Sequence, residues 1–594
     1  MRRIKLLINQ ILNGLMGALS RFPFTVICLV ATAALVCYLI AIEHSPPLIL
    51  EKIIFSLGVG AFIGMVAQFL IERFDKLERA KLLTYGVALL LTAGYFAIIW
   101  PSPEINAEIL TRSFVAIFAM TCAVLWIPAY RQRSDFNMIA LVHFKSFFTS
   151  VLYSGVLAAG IAAILFAVDT LLFNVDNKSY AYMLTVVWIV FAPIYYLALL
   201  PRFNDNREWG SSTESEAATY PRFLEILVSY IAIPLFTVYT LVLLVYFAKI
   251  LITSEWPSGQ LGPMVLIYSA IGVVLFVLAS LPENSFAKLF RMVFPKVWIP
   301  IVLMQMVSVW IRLDAYGVTV ARYYVGLFAI FSLVSAVFLS IRPVSKNRYV
   351  ALLAAAFAIL SIIPPVDAFS VSRNSQIHRI ETILQSEGML SEGVLKSKPD
   401  ASEETRREVT NILQYLEYNS SLEYISWLPE DFEMYRDMDD YFGFDPYYGR
   451  NPYEEYEFFY ASLDTDVPLD ISGYHVSVVI GSFMEIGGGK DFTFEIEGKQ
   501  YNLIAERINR RDMTITAQDQ AGTPLVTVNL LELAQSIKEM TSEGKDVLPP
   551  EVMSYSRTDN GAEIKVIFQY VSLENIGTDN FYADYTAYIL FRAP

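Results

Sequence analysis

The chain reads as an α-helical polytopic membrane domain of about eleven transmembrane helices, followed by a soluble α+β domain with a mainly antiparallel sheet. Three observations predict this. Of 594 residues, 55% are hydrophobic and 17% are charged, and the mean hydropathy of +0.46 exceeds that of soluble chains. The apolar residues of the first 365 positions lie in long runs, whereas those after residue 474 alternate with polar ones. Charge divides at the same place. Residues 1–365 hold 26 Lys+Arg and 18 Asp+Glu, and residues 366–594 hold 18 and 40. A mildly basic apolar body therefore precedes an acidic polar one. The acidic half lacks the basic footprint that nucleic acid requires.

Residues 1–22 read as a cytoplasmic interfacial helix. Arg2, Arg3 and Lys5 are basic, and Ile4, Leu7, Ile8, Ile11, Leu12 and Leu15 recur at helical spacing. The apolar run that follows is too long for a signal-peptide core and has no small-x-small cleavage site. A hydrocarbon layer of about 30 Å needs about 20 apolar helical residues. On that rule residues 23–365 contain eleven spans, near 23–42, 53–71, 82–100, 109–129, 147–168, 181–200, 223–248, 263–281, 297–311, 324–341 and 349–364. The ninth is short and is expected to start within 286–296. Gly60 and Gly64 suit close helix packing. Pro234 should kink the seventh span.

Orientation follows from the basic residues. The N-terminus and every second loop carry 20 Lys+Arg, including Arg73, Arg131, Arg202, Lys288 and Arg342, and the intervening loops carry 6. The expected placement is a multi-pass protein of the cell membrane with a cytoplasmic N-terminus and an extracytoplasmic C-terminal domain. The polar loop 202–222 would then be cytoplasmic.

Pro364-Pro365 closes the last span. Residues 366–430 read as a helical linker region. Ile377, Ile380, Ile383 and Leu384 mark one helix, and Val409, Ile412, Leu413 and Leu416 mark another behind Ser402 as its cap. Residues 431–594 form the acidic α+β domain. Tyr474, Val476, Val478 and Ile480 share one strand face, and Phe492, Phe494 and Ile496 share another. Further strands are expected at 501–507, 512–517, 525–530, 552–557, 563–570 and 581–591, with a helix at 531–540. Asn560-Gly561 is a hairpin turn. Cys28, Cys37 and Cys122 all lie in apolar spans, so no disulfide framework holds the acidic half. No Cys/His spacing indicates a metal, and no cofactor is expected.

Several local patterns belong together: Tyr230-Ile-Ala-Ile-Pro-Leu235 with Tyr239-Thr240, Glu255-Trp256-Pro257, Arg312-Leu-Asp-Ala-Tyr-Gly-Val-Thr319 with Arg322-Tyr323, and Ser372-Arg-Asn-Ser-Gln376 with Arg379. In that order the chain resembles bacterial polytopic membrane proteins of the domain of unknown function 4153 family. The resemblance implies a many-spanning part with a trailing soluble part, and it carries no activity or catalytic residues.

On the expected topology, charged residues cluster at outer span ends: Asp169, Lys249, Glu255, Arg312, Asp314 and Arg322. Ionisable groups beside hydrocarbon pair with one another or line a wet cavity. With Trp256, Tyr316 and Tyr323 as interfacial walls, they form a candidate ligand site in which the arginines offer forked donors to a carboxylate or phosphate. The alternative is that they only anchor helix ends among the headgroups. The stretch 430–460 interleaves seven tyrosines with aspartates. It fails the EF-hand spacing, with Phe442 where glycine belongs, and reads as an irregular loop, with binding of a glycan or another protein as the alternative. Gly487-Gly-Gly-Lys490 lacks the spacing of a nucleotide loop.

These residues fit a receptor, sensor or scaffold whose outer domain binds an envelope protein, lipid headgroup or glycan, with the lipid bilayer as its constant partner. A transporter or lipid-handling permease, and an outer-leaflet transferase, are the alternatives.

Overall fold

The chain divides after Pro446 into two units, Met1–Pro446 and Tyr447–Pro594. The computed structural model describes residues 14–594, apart from 43–46, 133, 204–218, 255, 257–260, 430, 448–456, 482–487, 510, 541–546 and 577–580. The first thirteen residues of the expected interfacial helix, most of the polar loop 202–222 and much of the tyrosine-rich stretch therefore lie outside the described residues.

In the first unit, ten described helices are long and apolar enough to cross a membrane. They are α1 (Pro23–Ala41), α2 (Leu48–Arg73), α3 (Lys81–Ile99), α4 (Ala107–Trp126), α5 (Phe136–Leu171), α6 (Lys178–Ala198), α7 (Arg222–Thr253), α8 (Leu261–Leu278), α9 (Ser285–Tyr316) and α10 (Val320–Ile341). The short ninth span does begin early. Residues 285–316 form one helix that carries Pro295 and Pro300 in its interior. Glycines in α2 set how closely its neighbours approach. A Cβ at Gly60 would lie 2.7 Å from Thr92 Cγ2, and one at Gly64 would lie 2.6 Å from Phe24 Cδ1.

The eleventh expected span is helical only over α11 (Arg348–Leu360), 13 residues, or about 20 Å at 1.5 Å per residue. Its flanks make up the remainder. Arg348 Nη1 donates to Ala129 O at 3.0 Å, just past the C-terminal end of α4. Beyond α11, Asp367 accepts from Arg112 Nη2 at 2.9 Å, near the N-terminal end of α4. Residues 348–367 thus run antiparallel to α4 over nearly its whole depth, first as helix and then as turns.

Two large apolar cores lie among the spanning helices of this unit. One centres on Phe22, Phe69, Val142 and Leu197 between α1, α2, α5 and α6. The other centres on Phe236, Tyr268, Phe294 and Trp298 between α7, α8 and α9. Both α6 and α7 contain a π-helical turn, at Val186–Phe191 and Ile226–Ala232. Each precedes a proline, Pro193 or Pro234, whose missing N–H breaks the regular ladder. The kink expected at Pro234 therefore takes the form of a widened turn.

Beyond the spans lie α12 (Ala368–Ser386), α13 (Glu403–Tyr418) and α14 (Met434–Phe442), with a small hairpin of β1 (Leu390–Ser391) and β2 (Val394–Leu395). Ser402 caps α13 as expected, its Oγ accepting from the Thr405 amide at 3.2 Å. α14 corrects the reading of 430–460 as an irregular loop. Met434, Met438 and Phe442 recur at helical spacing and are buried with Ile380, Leu413 and Leu416 in a separate core. The tyrosines and aspartates between them hid that period.

The second unit has two sheets. β5 (Gly489–Ile496), β6 (Lys499–Arg507), β7 (Met513–Asp519) and β8 (Pro524–Asn529) form an antiparallel meander. In the larger sheet β4 (Val476–Gly481), β12 (Tyr582–Arg592), β11 (Ala562–Ile576) and β3 (Glu457–Leu463) are antiparallel neighbours. β10 (Ser554–Asp559) also pairs with β11, and β9 (Val547–Leu548) pairs in parallel with β3. Asn560 and Gly561 make the two-residue turn between β10 and β11, both at positive φ. Leu503, Ile515, Val528, Phe568 and Phe591 lie in the shared core, and α15 (Leu530–Met540) adds Leu533, Ala534 and Ile537 to it.

Candidate functional site

The turn between α9 and α10 is held from outside by α12. Gly317 ends α9 at φ +66° and ψ −179°, a backbone region open in practice only to glycine. That geometry turns the carbonyls and amides of 316–320 toward α12 and α13. Gln376 Nε2 donates to Tyr316 O at 3.1 Å and to Val318 O at 2.9 Å. The Val318 amide donates to Ser375 Oγ at 2.9 Å. The Val320 amide donates to Tyr415 OH of α13 at 2.8 Å. Thr319 caps α10 through the Arg322 amide. Two of the sequence patterns, 312–323 and 372–379, thus meet in one structure.

Charge gathers around it. Arg322 Nη1 donates to the carbonyls of Tyr316 at 3.1 Å and Gly317 at 3.0 Å. Its guanidinium lies 5.4 Å from the Tyr316 ring, and that of Arg379 lies 5.8 Å from the same ring. Arg312 and Arg379 are the cationic neighbours whose fields reach Arg322. Arg379 pairs with Glu408. Among the described residues no ion pair joins Arg312 or Arg322 to a carboxylate. The arrangement offers guanidinium donors over an aromatic face that is half exposed, which is the chemistry of carboxylate or phosphate capture.

The other expected site residues fall elsewhere. Asp314 is exposed and makes no described ion pair with the arginines. Asp169 Oδ1 accepts from the Val175 amide at 2.7 Å and so shapes the turn after α5. Lys249 is exposed on α7. Trp256 packs against the core of α7, α8 and α9. Glu255 lies outside the described residues. The sequence pattern that contains Ser375, Gln376 and Arg379 did not itself place them at the turn, and Tyr415 belongs to none of the patterns. Their proximity depends on contacts across 57 to 95 positions, which no local pattern reveals.

A second polar contact lies beside this turn. Tyr323 OH donates to Val366 O at 2.6 Å, and the next residue, Asp367, caps α12 by accepting from the Phe369 and Ser370 amides. Burial alone would raise the Asp367 carboxyl. Its hydrogen bonds from Ser370 and Arg112 outweigh this and hold it below the usual carboxylate range.

A protein of Pasteurella multocida (strain Pm70), named Uncharacterized protein PM1469, is 24% identical over 224 residues, which are 37% of this chain and 37% of that one. The chain thus spans little more than a third of that relative's length. No solved structure matches the chain. Residues 30–391, more than half of the chain and the region that ends with α12 and the first strand behind it, match the family described as Domain of unknown function (DUF4153), and the chain belongs to that family.

Proposed function

We propose that this protein is a membrane receptor or scaffold that captures an anionic group of an envelope component at the turn between α9 and α10. The observation that carries this reading is the convergence of Arg322 and Arg379 on the Tyr316 ring, with Arg379–Glu408 the one described ion pair of these two guanidinium groups. Like charges held together beside a membrane layer are costly unless an anion joins them. The clamp by Ser375, Gln376 and Tyr415 fixes the donors in advance, which lowers the ordering cost of binding.

The reading places this turn and the C-terminal unit outside the cell. The 20-to-6 distribution of basic residues supports that side. So does the course of residues 348–367 along α4, because an eleventh crossing puts the two ends of the chain on opposite faces. Protease shaving of intact cells tests the placement: cleavage within the C-terminal unit is expected, and its full protection overturns the topology. Calorimetry of the purified full chain with glycerol phosphate tests the site. Wild type is expected to bind, and Arg322→Gln to bind about tenfold more weakly. Equal binding by the variant, or no binding by wild type, removes the proposal.

A further inference from the structure

A strand at the end of a sheet presents unpaired amides and carbonyls, and folded proteins blunt such edges with charge, proline, a bulge or shortness. The two sheets of the second unit end on β4, β9, β5 and β8. Three of these are blunted. β9 is two residues long. β5 carries Lys490, Asp491 and Glu495. β8 opens with Pro524, and its Leu525 carbonyl accepts from Asn560 Nδ2 at 2.9 Å. β4 has none of these devices. It reads Val476-Ser-Val-Val-Ile-Gly481 and pairs with β12 in unbroken register. Among the described residues it has no neighbour on its other side. We infer that β4 is the interface of a homodimer, in which its free edge pairs antiparallel with β4 of a second copy about a two-fold axis at Val478.

The core is unfinished at this edge. Side chains of a strand alternate between its two faces, so Val476 and Val478 share the core face of Ile480. Ile480 is buried, but Val476 and Val478 are only half-buried. On the neighbouring strand β12, Ala583, Tyr585, Ala587 and Ile589 are all at most 2% exposed. One more strand beside β4 would remove the remaining apolar surface of the two valines from water.

The strand suits its own copy. Antiparallel pairing about Val478 sets Val476 opposite Ile480 and Ser477 opposite Val479. Core-facing residues then meet core-facing ones, and no charge meets a like charge. The same operation on β5 about Thr493 would set Asp491 opposite Glu495, which is unfavourable. The far end of the larger sheet is the two-residue β9, so the assembly closes at two copies and does not grow into a fibre. Residues 447–594 hold 11 Lys+Arg and 23 Asp+Glu, so two copies repel at a distance. Their contact has to be made by backbone and apolar groups, which an uncharged strand supplies.

The test is the stoichiometry of the full chain in detergent, read by native mass spectrometry over a dilution series. Wild type is expected to dimerise, and added salt to tighten the dimer by screening the acidic units from each other. Ser477→Asp combined with Val479→Asp sets like charges opposite each other twice across the axis and should weaken the dimer about tenfold. Both positions are exposed, Val479 at 52%, so neither change reaches the core. Ser477→Lys combined with Val479→Asp sets opposite charges across the same axis and should restore the dimer. A monomeric wild type, a dimer that salt loosens, a dimer that the double aspartate variant leaves intact, or a charge-swapped variant as monomeric as the double aspartate one would overturn the inference.

Discussion

The turn between α9 and α10 and the polar hub around Asn347 both join separate helices through hydrogen bonds, but they differ in charge. At the hub, Asn347 Nδ2 donates to Asn137 Oδ1 at 2.8 Å and to Ser280 Oγ at 3.0 Å, and Asn137 Nδ2 donates to Val344 O at 3.2 Å. These residues are nearly inaccessible, at 0%, 2% and 7% exposure for Asn347, Asn137 and Ser280. They are neutral and mostly satisfied by one another. The turn is equally well tied through its backbone, yet it carries a surplus of guanidinium charge next to a half-exposed ring. Amides that satisfy each other serve packing. On the proposed function, cations in excess of their acids, held at an accessible edge, are completed by a bound anion.

Substitutions at the two places can break or sharpen this contrast. Gly317→Ala has the largest expected effect. It forces a side chain into a glycine-only conformation and puts a Cβ 2.9 Å from Gln376 Nε2, for a loss of about 3 kcal/mol. Thermal unfolding of the detergent-purified protein would register it, and anion binding should fall as well because the clamp is lost. Asn347→Ala should destabilise by about 2 kcal/mol, since it leaves the Asn137 carbonyl unpaired. It should leave glycerol phosphate binding unchanged. If Asn347→Ala weakens that binding as much as Arg322→Gln does, the distinction between hub and site is wrong.

Asp367→Asn keeps a cap for α12 but removes the charge facing Arg112, for an expected loss of about 1–2 kcal/mol at neutral pH. The sign with pH follows from the depressed carboxyl. Its stabilising contribution is complete above the ordinary Asp range near 4 and declines as pH falls below that range. Unfolding midpoints of wild type should therefore drop faster than those of Asp367→Asn between about pH 5 and pH 3. Parallel curves would mean that the carboxylate is not held by Arg112. The smallest stability effect is expected from Arg312→Gln, under about 0.5 kcal/mol, with a measurable loss only in anion binding.

Much of the architecture was legible along the chain because membrane solvent imposes long apolar helices and alternating basic loops. Short-range chemistry was legible as well. Ser402 caps its helix, Asn560-Gly561 turns its hairpin, and Pro234 disturbs its span. Three features were less accessible. α11 is shorter than an ordinary crossing because turns carry the chain over the last part of the depth. α14 was masked by tyrosines and aspartates that fill the faces between Met434, Met438 and Phe442. β3 and β9 carry too few alternating residues to stand out beside their loops.

What the sequence determined by itself is the class of object: a chain whose first part must satisfy its backbone within helices because lipid offers no hydrogen bonds, and whose last part alternates with the period of a sheet. The arginines at 312 and 322 and the motif around Gln376 were equally visible as residues. Only the tertiary structure decided that they form one place. The reason is physical: Gly317 directs the backbone of the turn toward α12, and hydrogen bonds between segments some sixty positions apart require both helices to be folded before either motif has a partner.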